Sequence, residues 1–225
     1  MRKLVVFTMI TLDGVMQSPG RPEEDNSEGF TYGGWTPPFA DGSLRDVVDQ
    51  EVSEPFDMLL GAKTYSDIFA PSWPKQSGTI AEAFNKATKY VVSDKPLKLT
   101  WEKAVLIDGD VVAKIKALKQ EDGPMLQVWG SGKLVQTLLK NDLVDELRLR
   151  TFPVTIGTGK RLFAEGTIPA NYELIETGAL SNGIIIANYK RAGAFKTGTL
   201  DSKKYVLGIR KGRNYEASDK QDYKT

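Results

Sequence analysis

Short apolar segments alternate with segments of helical periodicity along most of the chain. Residues 4–10 are apolar and β-branched with little polar alternation, which is typical of a strand buried on both faces. Further short strands are predicted at residues 57–60, 90–93, 104–107 and 125–129. Between the strands, apolar residues recur at helical spacing in residues 44–52, 81–87, 111–118 and 134–139, and a short helix is predicted from Thr64. The pattern therefore predicts a sheet covered by helices.

Two of the predicted helices begin with the spacing of a capping box. Ser43-Leu44-Arg45-Asp46 precedes the first helix, and Thr79-Ile80-Ala81-Glu82 precedes a later one. In both segments a hydroxyl side chain stands three residues before an acid, so each is predicted to cap the first turn of its helix.

The pattern changes after residue 145. Leu147, Leu149 and Thr151 alternate with other side chains in the manner of a half-exposed strand. Two more strands are predicted at about residues 172–177 and 184–189, joined by a turn at residues 181–183. Strands separated by helices pair in parallel and strands joined by a hairpin pair antiparallel. We therefore predict an α/β fold with a mostly parallel central sheet and antiparallel C-terminal edge strands.

The chain divides at about residue 191. Residues 1–191 contain the predicted elements and form the expected domain, whereas residues 192–225 are polar, mildly basic and poor in core residues. Within this extension, residues 205–209 have the composition of one further strand. A nucleic-acid role for the basic extension is an alternative that remains open.

Charge and composition favour a small-molecule partner. The 225 residues include 30 Lys and Arg against 29 Asp and Glu, so the net charge of +1 gives no general attraction to nucleic acid or to anionic membranes. No apolar segment approaches the roughly 20 residues of a membrane-spanning helix. Cysteine is absent, which fits a reducing cytoplasm, and the apolar start lacks a cleavage pattern. We expect a cytoplasmic protein.

The chain contains neither histidine nor cysteine. Ser-His-Asp and Cys-His nucleophilic sites are therefore excluded, and so are the usual His and Cys zinc sites, so no metal is expected. Carboxylates, lysine, tyrosine and water remain for proton transfer. An enzyme of this composition gains most from an organic cofactor, which indicates redox chemistry with a nucleotide.

Three predicted strands end in turns suited to phosphate. Gly130-Ser131-Gly132 follows one strand and begins a helix, where a dinucleotide pyrophosphate would bind, although Val135 replaces the last glycine of the dinucleotide fingerprint. Gly61 to Tyr65 and Ser93 to Lys95 add glycine, hydroxyl and cationic groups after two other strands. A tight turn without a ligand explains Gly130-Ser131-Gly132 equally well, and a solvated surface charge is the alternative for each lysine. Taken together, the loops after the three strands are predicted to line one crevice and converge on a single ligand. Gly157 to Lys160 is not a Walker loop, because Val154 and Arg161 break that pattern.

Aromatic residues before the first capped helix suit a flat substrate. Trp35 and Phe39 offer an apolar wall, and Asp41 offers an acceptor for a ring N–H. The alternative is that both aromatic residues belong to the core and that Asp41 caps the helix together with Ser43.

Ordered motifs over residues 3–191 resemble the dihydrofolate reductase-like family that includes the riboflavin-biosynthesis reductase domain. The motifs are Thr11-Leu12-Asp13-Gly14, Gly33-Gly34-Trp35, Leu60-Gly61-Ala62-Lys63-Thr64-Tyr65, Trp73-Pro74, Lys89-Tyr90-Val91-Val92-Ser93, Gly130-Ser131-Gly132, Leu143-Val144-Asp145-Glu146-Leu147 and Pro153-Val154 through Gly157-Thr158-Gly159-Lys160-Arg161-Leu162-Phe163. The resemblance implies a three-layer α/β/α fold, NADPH as hydride donor, and a homodimer.

The resemblance also implies roles for individual residues. Asp41 falls near the substrate-orienting carboxylate of dihydrofolate reductases and is the predicted catalytic residue, with Trp35 and Phe39 at the substrate. The implied cofactor-binding residues are Asp13, Gly14, Gly61, Lys63, Thr64, Tyr65, Ser93, Lys95, Gly130, Ser131, Gly132, Leu134 and Val135. Ala62 stands where close relatives commonly have arginine, which leaves NADH possible in place of NADPH.

The resulting hypothesis is an NADPH-dependent reductase. It would transfer a hydride to a small nitrogen heterocycle, either a pterin or a substrate similar to 5-amino-6-(5-phosphoribosylamino)uracil. The zinc deaminase half of the bifunctional riboflavin protein is absent, so only the reductase step is possible. A non-catalytic module that binds nicotinamide nucleotides is the alternative, and turnover distinguishes the two.

Overall fold

The computed structural model of the chain describes residues 1–200, so the strand predicted at residues 205–209 lies outside the described residues. Eight strands are present: β1 Leu4–Thr11, β2 Phe56–Gly61, β3 Lys89–Val92, β4 Ala104–Ile107, β5 Met125–Trp129, β6 Glu146–Phe152, β7 Ala170–Ala179 and β8 Ile185–Ala194. The helices are α1 Gly42–Glu51, α2 Ala70–Ser72, α3 Thr79–Lys86, α4 Val111–Gln120 and α5 Gly132–Lys140.

All eight strands form one sheet in the order β4-β3-β2-β5-β1-β6-β8-β7. The pairs from β4 through to β6 are parallel, and β8 pairs antiparallel with both β6 and β7. The mostly parallel sheet with an antiparallel C-terminal edge is confirmed. Because β2, β5 and β1 are neighbours, the loops that follow these three strands meet at one end of the sheet.

The sheet is covered on both faces, which gives the three-layer architecture. Along β2, Leu59 packs into a core with residues of α4 and α5, while Met58 and Leu60 pack into a second core that contains Phe84 of α3. β1 is buried at every position except the partly exposed Met9, so the prediction of a strand buried on both faces is confirmed. The central strands are therefore fixed from two sides.

The prediction that β6 is half-exposed is wrong. Five of its seven residues are buried, and even Arg150 is only 2% exposed. The guanidinium groups of Arg148 and Arg150 both donate to the carboxylate of Glu51, the last residue of α1. Long charged side chains produced the alternating pattern, and their burial is possible because each cation has a buried acceptor.

Helix starts also differ from the predicted capping boxes. Asp41, not Ser43, is the N-cap of α1, and its carboxylate accepts a 3.1 Å hydrogen bond from the backbone N–H of Leu44. Gly78 precedes α3 without any side-chain cap. The predicted helix at Thr64 is a π-helical turn, Thr64–Phe69, which runs directly into α2. Sequence spacing located these helices but not the groups that begin them.

Met1–Ala194 form one compact unit, and β8 extends to Ala194, three residues beyond the predicted domain end. The predicted turn between the last two strands is present at residues 181–183. In the described part of the chain, no helix combines the length and apolar character needed to cross a membrane.

Candidate functional site

A cavity of about 470 Å³ opens at the carboxyl ends of β1, β2 and β5. This is the position at which open α/β sheets bind their ligands. One wall comes from the long loop between β1 and α1, and the opposite wall comes from the π-helical turn and α2. The lining residues are Phe7, Thr8, Met9, Met16, Gln17, Ser18, Pro19, Gly20, Arg21, Glu24, Asp25, Thr36, Thr64, Ile68, Phe69, Ser72, Trp73, Gln76, Trp129, Gly130, Ser131, Gly132 and Lys160.

The glycine turn after β5 is held in place by the loop that follows β2. The backbone N–H of Gly61 donates to Ser131 Oγ at 3.0 Å, and the backbone N–H of Ser131 donates to Thr64 Oγ1 at 3.1 Å. Gly130 and Ser131 have φ angles of +60° and +59°, a left-handed conformation that turns the chain sharply into α5. The ends of β2 and β5, two of the three strand ends predicted to converge, therefore meet at this turn.

The amino terminus of α5 has no side-chain cap. The first backbone N–H groups of a helix have no acceptor within the helix, and the helix dipole places partial positive charge there. Gly132, the first residue of α5, lines the cavity and presents no side chain. These N–H groups can therefore donate hydrogen bonds to the oxygen atoms of an anion such as a phosphate.

Aromatic rings form the floor and one wall of the cavity. The rings of Phe7 and Trp129 lie 4.2 Å apart between centroids, and the Trp129 indole N–H donates to Gln127 Oε1 at 2.9 Å. The guanidinium of Arg150 lies 5.0 Å from the Phe7 ring centroid. Trp73 stands on the wall, so a flat heterocycle would find apolar surface on two sides.

Asp25 ties the long loop to two cations. Its carboxylate lies 2.5 Å from the ammonium of Lys63, after β2, and 2.6 Å from that of Lys160, in the loop after β6. Burial raises the pKa of Asp25, but the hydrogen bonds from Lys160, Lys63 and Ser27 outweigh this effect and hold the pKa well below its usual range. The carboxylate therefore stays ionised at neutral pH.

Four predicted cofactor-binding residues line the cavity: Thr64, Gly130, Ser131 and Gly132. Gly61 lies directly behind them, bonded to Ser131. Lys63 is close by, but its ammonium is paired with Asp25 and it lies outside the main cavity.

Other predicted cofactor residues serve the fold. Tyr65 is fully buried, and its hydroxyl accepts hydrogen bonds from the backbone N–H groups of Thr100 and Trp101. Leu134 and Val135 pack inside the core beneath α5. The side chains at these three positions serve the core, and their assignment to the cofactor stays a prediction.

Ser93 and Lys95 lie at the end of β3 and do not line the cavity. Ser93 Oγ donates to the carbonyl oxygen of Lys95 at 2.8 Å and closes a local turn. Their assignment to the cofactor stays a prediction.

Asp13 and Gly14 connect two loops beside the cavity. The Asp13 carboxylate accepts hydrogen bonds from Thr11 Oγ1 at 2.5 Å and from the backbone N–H of Gly157 at 2.7 Å. These bonds, led by the one from Thr11, lower the pKa of Asp13 to about 2. Gly14 has a φ of +81°, and its carbonyl oxygen accepts from the Leu162 N–H. Neither residue lines the cavity, so their cofactor role also stays a prediction.

The structure places Trp35, Phe39 and Asp41 apart from the cavity. Trp35 is 8% exposed and packs edge-on against Phe152, as does Phe39. Asp41 is exposed at the start of α1, and hydrogen bonds from Ser43 and Leu44 lower its pKa. The alternative interpretation, apolar packing and helix capping, describes all three residues, and the geometry does not support their substrate and catalytic roles.

Sequence reasoning missed the most distinctive polar group of the site. Asp25 belongs to the glycine-rich loop after β1, but nothing in its local sequence indicates its two partners, which lie 38 and 135 positions further along the chain. Lys160 belongs to the family motif at residues 157–163 and to a pattern that is not a Walker loop, and neither indicates an ion pair with Asp25. Trp73 had a signal in the Trp73-Pro74 motif, and Trp129 ends a predicted strand, where ligand contacts concentrate.

Comparison with known proteins agrees with this architecture. A protein of Bacillus subtilis (strain 168) named uncharacterized protein YyaP is 24% identical over 189 residues, which cover 82% of this chain and 92% of that protein. Two solved structures share the fold over 85% of this chain. One is a diaminohydroxyphosphoribosylaminopyrimidine deaminase/5-amino-6-(5-phosphoribosylamino)uracil reductase from Thermotoga maritima, of which 57% is covered at 15% identity and a TM-score of 0.56. The other is dihydrofolate reductase from Enterococcus faecalis in complex with NADP(H) and RAB-propyl, of which 97% is covered at 12% identity and a TM-score of 0.55.

Fold and cavity together define a dihydrofolate reductase-like α/β protein. Residues 2–186 match the family model of the RibD C-terminal domain, and the chain belongs to this family. Family and fold point to an oxidoreductase of the reductase type, as the sequence motifs imply.

Proposed function

We propose that the protein is a nicotinamide-nucleotide-dependent reductase that reduces a C=N or C=O bond of a small nitrogen heterocycle. NADPH is the expected cofactor, and a pterin or a 5-amino-6-(5-phosphoribosylamino)uracil-like compound is the expected substrate class. Two relatives in fold support the proposal by their names, one as a uracil-derivative reductase and one by its NADP(H) complex.

The observation that carries the proposal is the uncapped amino terminus of α5, which opens directly into an aromatic-walled cavity. Its N–H groups suit the pyrophosphate of a dinucleotide, and Gly132 leaves space for close approach. The residues present therefore fit a dinucleotide.

The chain's own residues bind and orient the reactants. A nicotinamide nucleotide, when bound, would supply the hydride. Gly61, Thr64 and Ser131 hold the glycine turn rigid through two hydrogen bonds, so the α5 N–H groups are positioned before a ligand arrives. Phe7 and Trp129 keep water away from the floor of the cavity, which favours transfer over side reactions.

The Asp25 carboxylate on the cavity wall is not the proton donor for the product. Asp25 is held ionised by Lys63 and Lys160, and the Glu24 carboxylate accepts from the backbone N–H groups of Gly20 and Arg21. Thr8 and Thr36 provide hydroxyl groups on the cavity wall. A proton would therefore come from water at the open mouth, and the protein's contribution is orientation and exclusion of bulk solvent.

Titration with NADPH and with NADH tests the proposal. Binding is read from nicotinamide fluorescence, and oxidation is then followed with dihydrobiopterin and with the aminopyrimidine substrate. Nucleotide binding with turnover supports the reductase. Binding without turnover of any candidate heterocycle favours the non-catalytic module, and no binding of either nucleotide at millimolar excess rejects both.

The substitution Thr64→Val links binding to the glycine turn. Loss of the Thr64 Oγ1 acceptor leaves the Ser131 N–H without its partner and should weaken NADPH binding about tenfold, the equivalent of about 1.4 kcal/mol. Thr137→Val is the matched control, since Thr137 lies on α5 away from the cavity and its hydroxyl donates only to Lys133 O. Equal NADPH affinity in the two variants would contradict the assigned site.

A further inference from the structure

We infer that Asp25 is a specificity-determining residue that makes the cavity select an unphosphorylated heterocycle over a phosphorylated one. The inference deepens the proposed function, on which it rests, by choosing between its two substrate classes. It concerns the side of the cavity that is lined by Asp25 and Lys160.

Both oxygens of the Asp25 carboxylate are committed to cations. Oδ1 lies 2.5 Å from Lys63 Nζ and Oδ2 lies 2.6 Å from Lys160 Nζ. Lys160 also donates to Ser27 Oγ at 2.5 Å, so two of its three N–H groups are already used. Asp25 therefore engages both ammonium groups and offsets one of the two positive charges that Lys63 and Lys160 bring to this side of the protein.

The ion pair is fixed by a buried amide, which distinguishes it from a chance surface contact. Gln17 is 3% exposed; its Nε2 donates to the carbonyl oxygen of Asp25 at 2.9 Å, and its Oε1 accepts from the backbone N–H of Lys160 at 2.9 Å. One side chain thus holds the backbones of both ion-pair partners. The Asp25 and Lys160 side chains are only 17% and 23% exposed, so solvent screens their charges weakly.

The charged residues that line the cavity balance one another. Arg21 and Lys160 supply two positive charges, and Glu24 and Asp25 supply two negative charges. Arg21 itself is exposed at the rim. Recognition of a phosphate dianion needs an excess of positive charge or several free hydrogen-bond donors. Asp25 offsets the charge of Lys160 and occupies one of its N–H donors. The negative charge of Asp25 also repels the phosphate.

The remaining surface suits an uncharged ring. Phe69, Trp73 and Trp129 provide apolar walls, and threonine hydroxyls provide the polar contacts that fix orientation. A heterocycle without a phosphate satisfies these groups and leaves the Asp25 ion pairs intact. A phosphorylated ribosyl derivative would have to break them.

Asp25→Asn tests the inference with almost no change in shape. The neutral amide releases Lys63 and Lys160, so the variant should bind inorganic phosphate at least tenfold more tightly than the wild type in calorimetric titrations at fixed ionic strength. Asp67→Asn is the matched control. This substitution also removes one negative charge near Lys63, but Asp67 forms no ion pair with either lysine. Thermal unfolding checks that all three proteins are folded.

An equal phosphate affinity in wild type and Asp25→Asn, or an equal gain in Asp67→Asn, would overturn the assignment. Uridine and uridine 5′-monophosphate extend the test to ligands that differ only by the phosphate. The Asp25→Asn protein should prefer the monophosphate at least tenfold more than the wild type does. A wild type that already binds the monophosphate more tightly than uridine would show that a phosphorylated substrate is accepted.

Failure of this inference and failure of the proposed function are distinguishable. The phosphate comparison between wild type and Asp25→Asn is made without the nicotinamide nucleotide, so it gives a result even for a protein that ignores NADPH. A wild type that binds and oxidises NADPH but fails the phosphate comparison would keep the reductase and lose only the role of Asp25.

Discussion

The centre and the C-terminal edge of the sheet lie in very different surroundings. Leu4, Val5 and Val6 of β1 are fully buried, whereas Leu174 and Ile175 of β7 are 48% and 52% exposed. Helices cover the centre on both faces and leave β7 largely open. The cavity lies at the ends of the buried strands, where packing fixes the backbone to the accuracy that a binding site requires.

The exposed edge offers a surface for association. In the part of the chain that the structure describes, the outer edge of β7 pairs with no other strand, and free strand edges are templates for pairing with another chain. We propose that the expected homodimer uses this edge.

The largest expected difference between centre and edge concerns ion pairs. Arg150 is 2% exposed and bonds Glu51 and Asn188, whereas the pair Lys190–Glu173, 3.0 Å apart, is more than half exposed on both sides. Arg150→Met leaves a buried carboxylate short of a cation and should lower the free energy of unfolding by about 3–5 kcal/mol. Lys190→Met should change it by about 1 kcal/mol or less. Urea denaturation measures both, and equal losses would contradict the comparison.

A matched pair of leucines gives the next largest difference. Leu126 in β5 is fully buried, and Leu174 in β7 is 48% exposed. Leu126→Ala should cost about 2–5 kcal/mol through lost burial and the cavity it leaves. Leu174→Ala should cost about 0.5 kcal/mol, the range of an exposed substitution. A large loss for Leu174→Ala in dilute protein would mean that the β7 edge is covered in solution.

The smallest effect is a pH dependence at the amino end of β3. Lys89, the first residue of β3, is fully buried against the Trp101 ring and donates to Asn85 O at 2.9 Å. Burial, followed by repulsion from Lys103, lowers the pKa of Lys89 to about 8. Between about pH 8 and the unfolded pKa of about 10.4, the unfolded chain binds more protons than the folded chain, so stability should rise with pH.

The slope of this rise is at most about 1.4 kcal/mol per pH unit, the value for one proton. Urea midpoints from pH 7.5 to 9.5 measure it, with Lys89→Met as the variant that should lack the rise. The measurement stops at pH 9.5 because of Tyr172. Burial raises the pKa of Tyr172, so its ionisation lowers the stability of the folded protein at higher pH. A rise of the same slope in Lys89→Met would assign the effect to other groups.

The sequence predicted the features that depend on short-range pattern. Buried parallel strands are recognisable in the sequence as short apolar segments. Residues 130–132, between a strand and an amphipathic helix, indicate the turn at the cavity. The motif order over residues 3–191 identified the family before any geometry was known.

Features set by contacts distant in sequence escaped prediction. Arg148 and Arg150 read as exposed residues because their partner Glu51 lies almost a hundred positions away. Asp25 had no local signal for Lys63 or Lys160. Asp41 was assigned to catalysis by its neighbourhood in the chain, yet the backbone direction at α1 makes it a helix cap. Side-chain chemistry alone does not tell which way a carboxylate faces.

The left-handed backbone of Ser131 has a consequence for protein engineering. Glycine would adopt a φ of +59° with less strain, but only serine supplies the hydroxyl that accepts from the Gly61 N–H and donates to Trp129 O. Replacement of Ser131 with glycine would relax the backbone of the turn. The same substitution would remove the hydroxyl that joins the end of β2 to the turn after β5. Thermostability and ligand-ready geometry are therefore opposed at this one position.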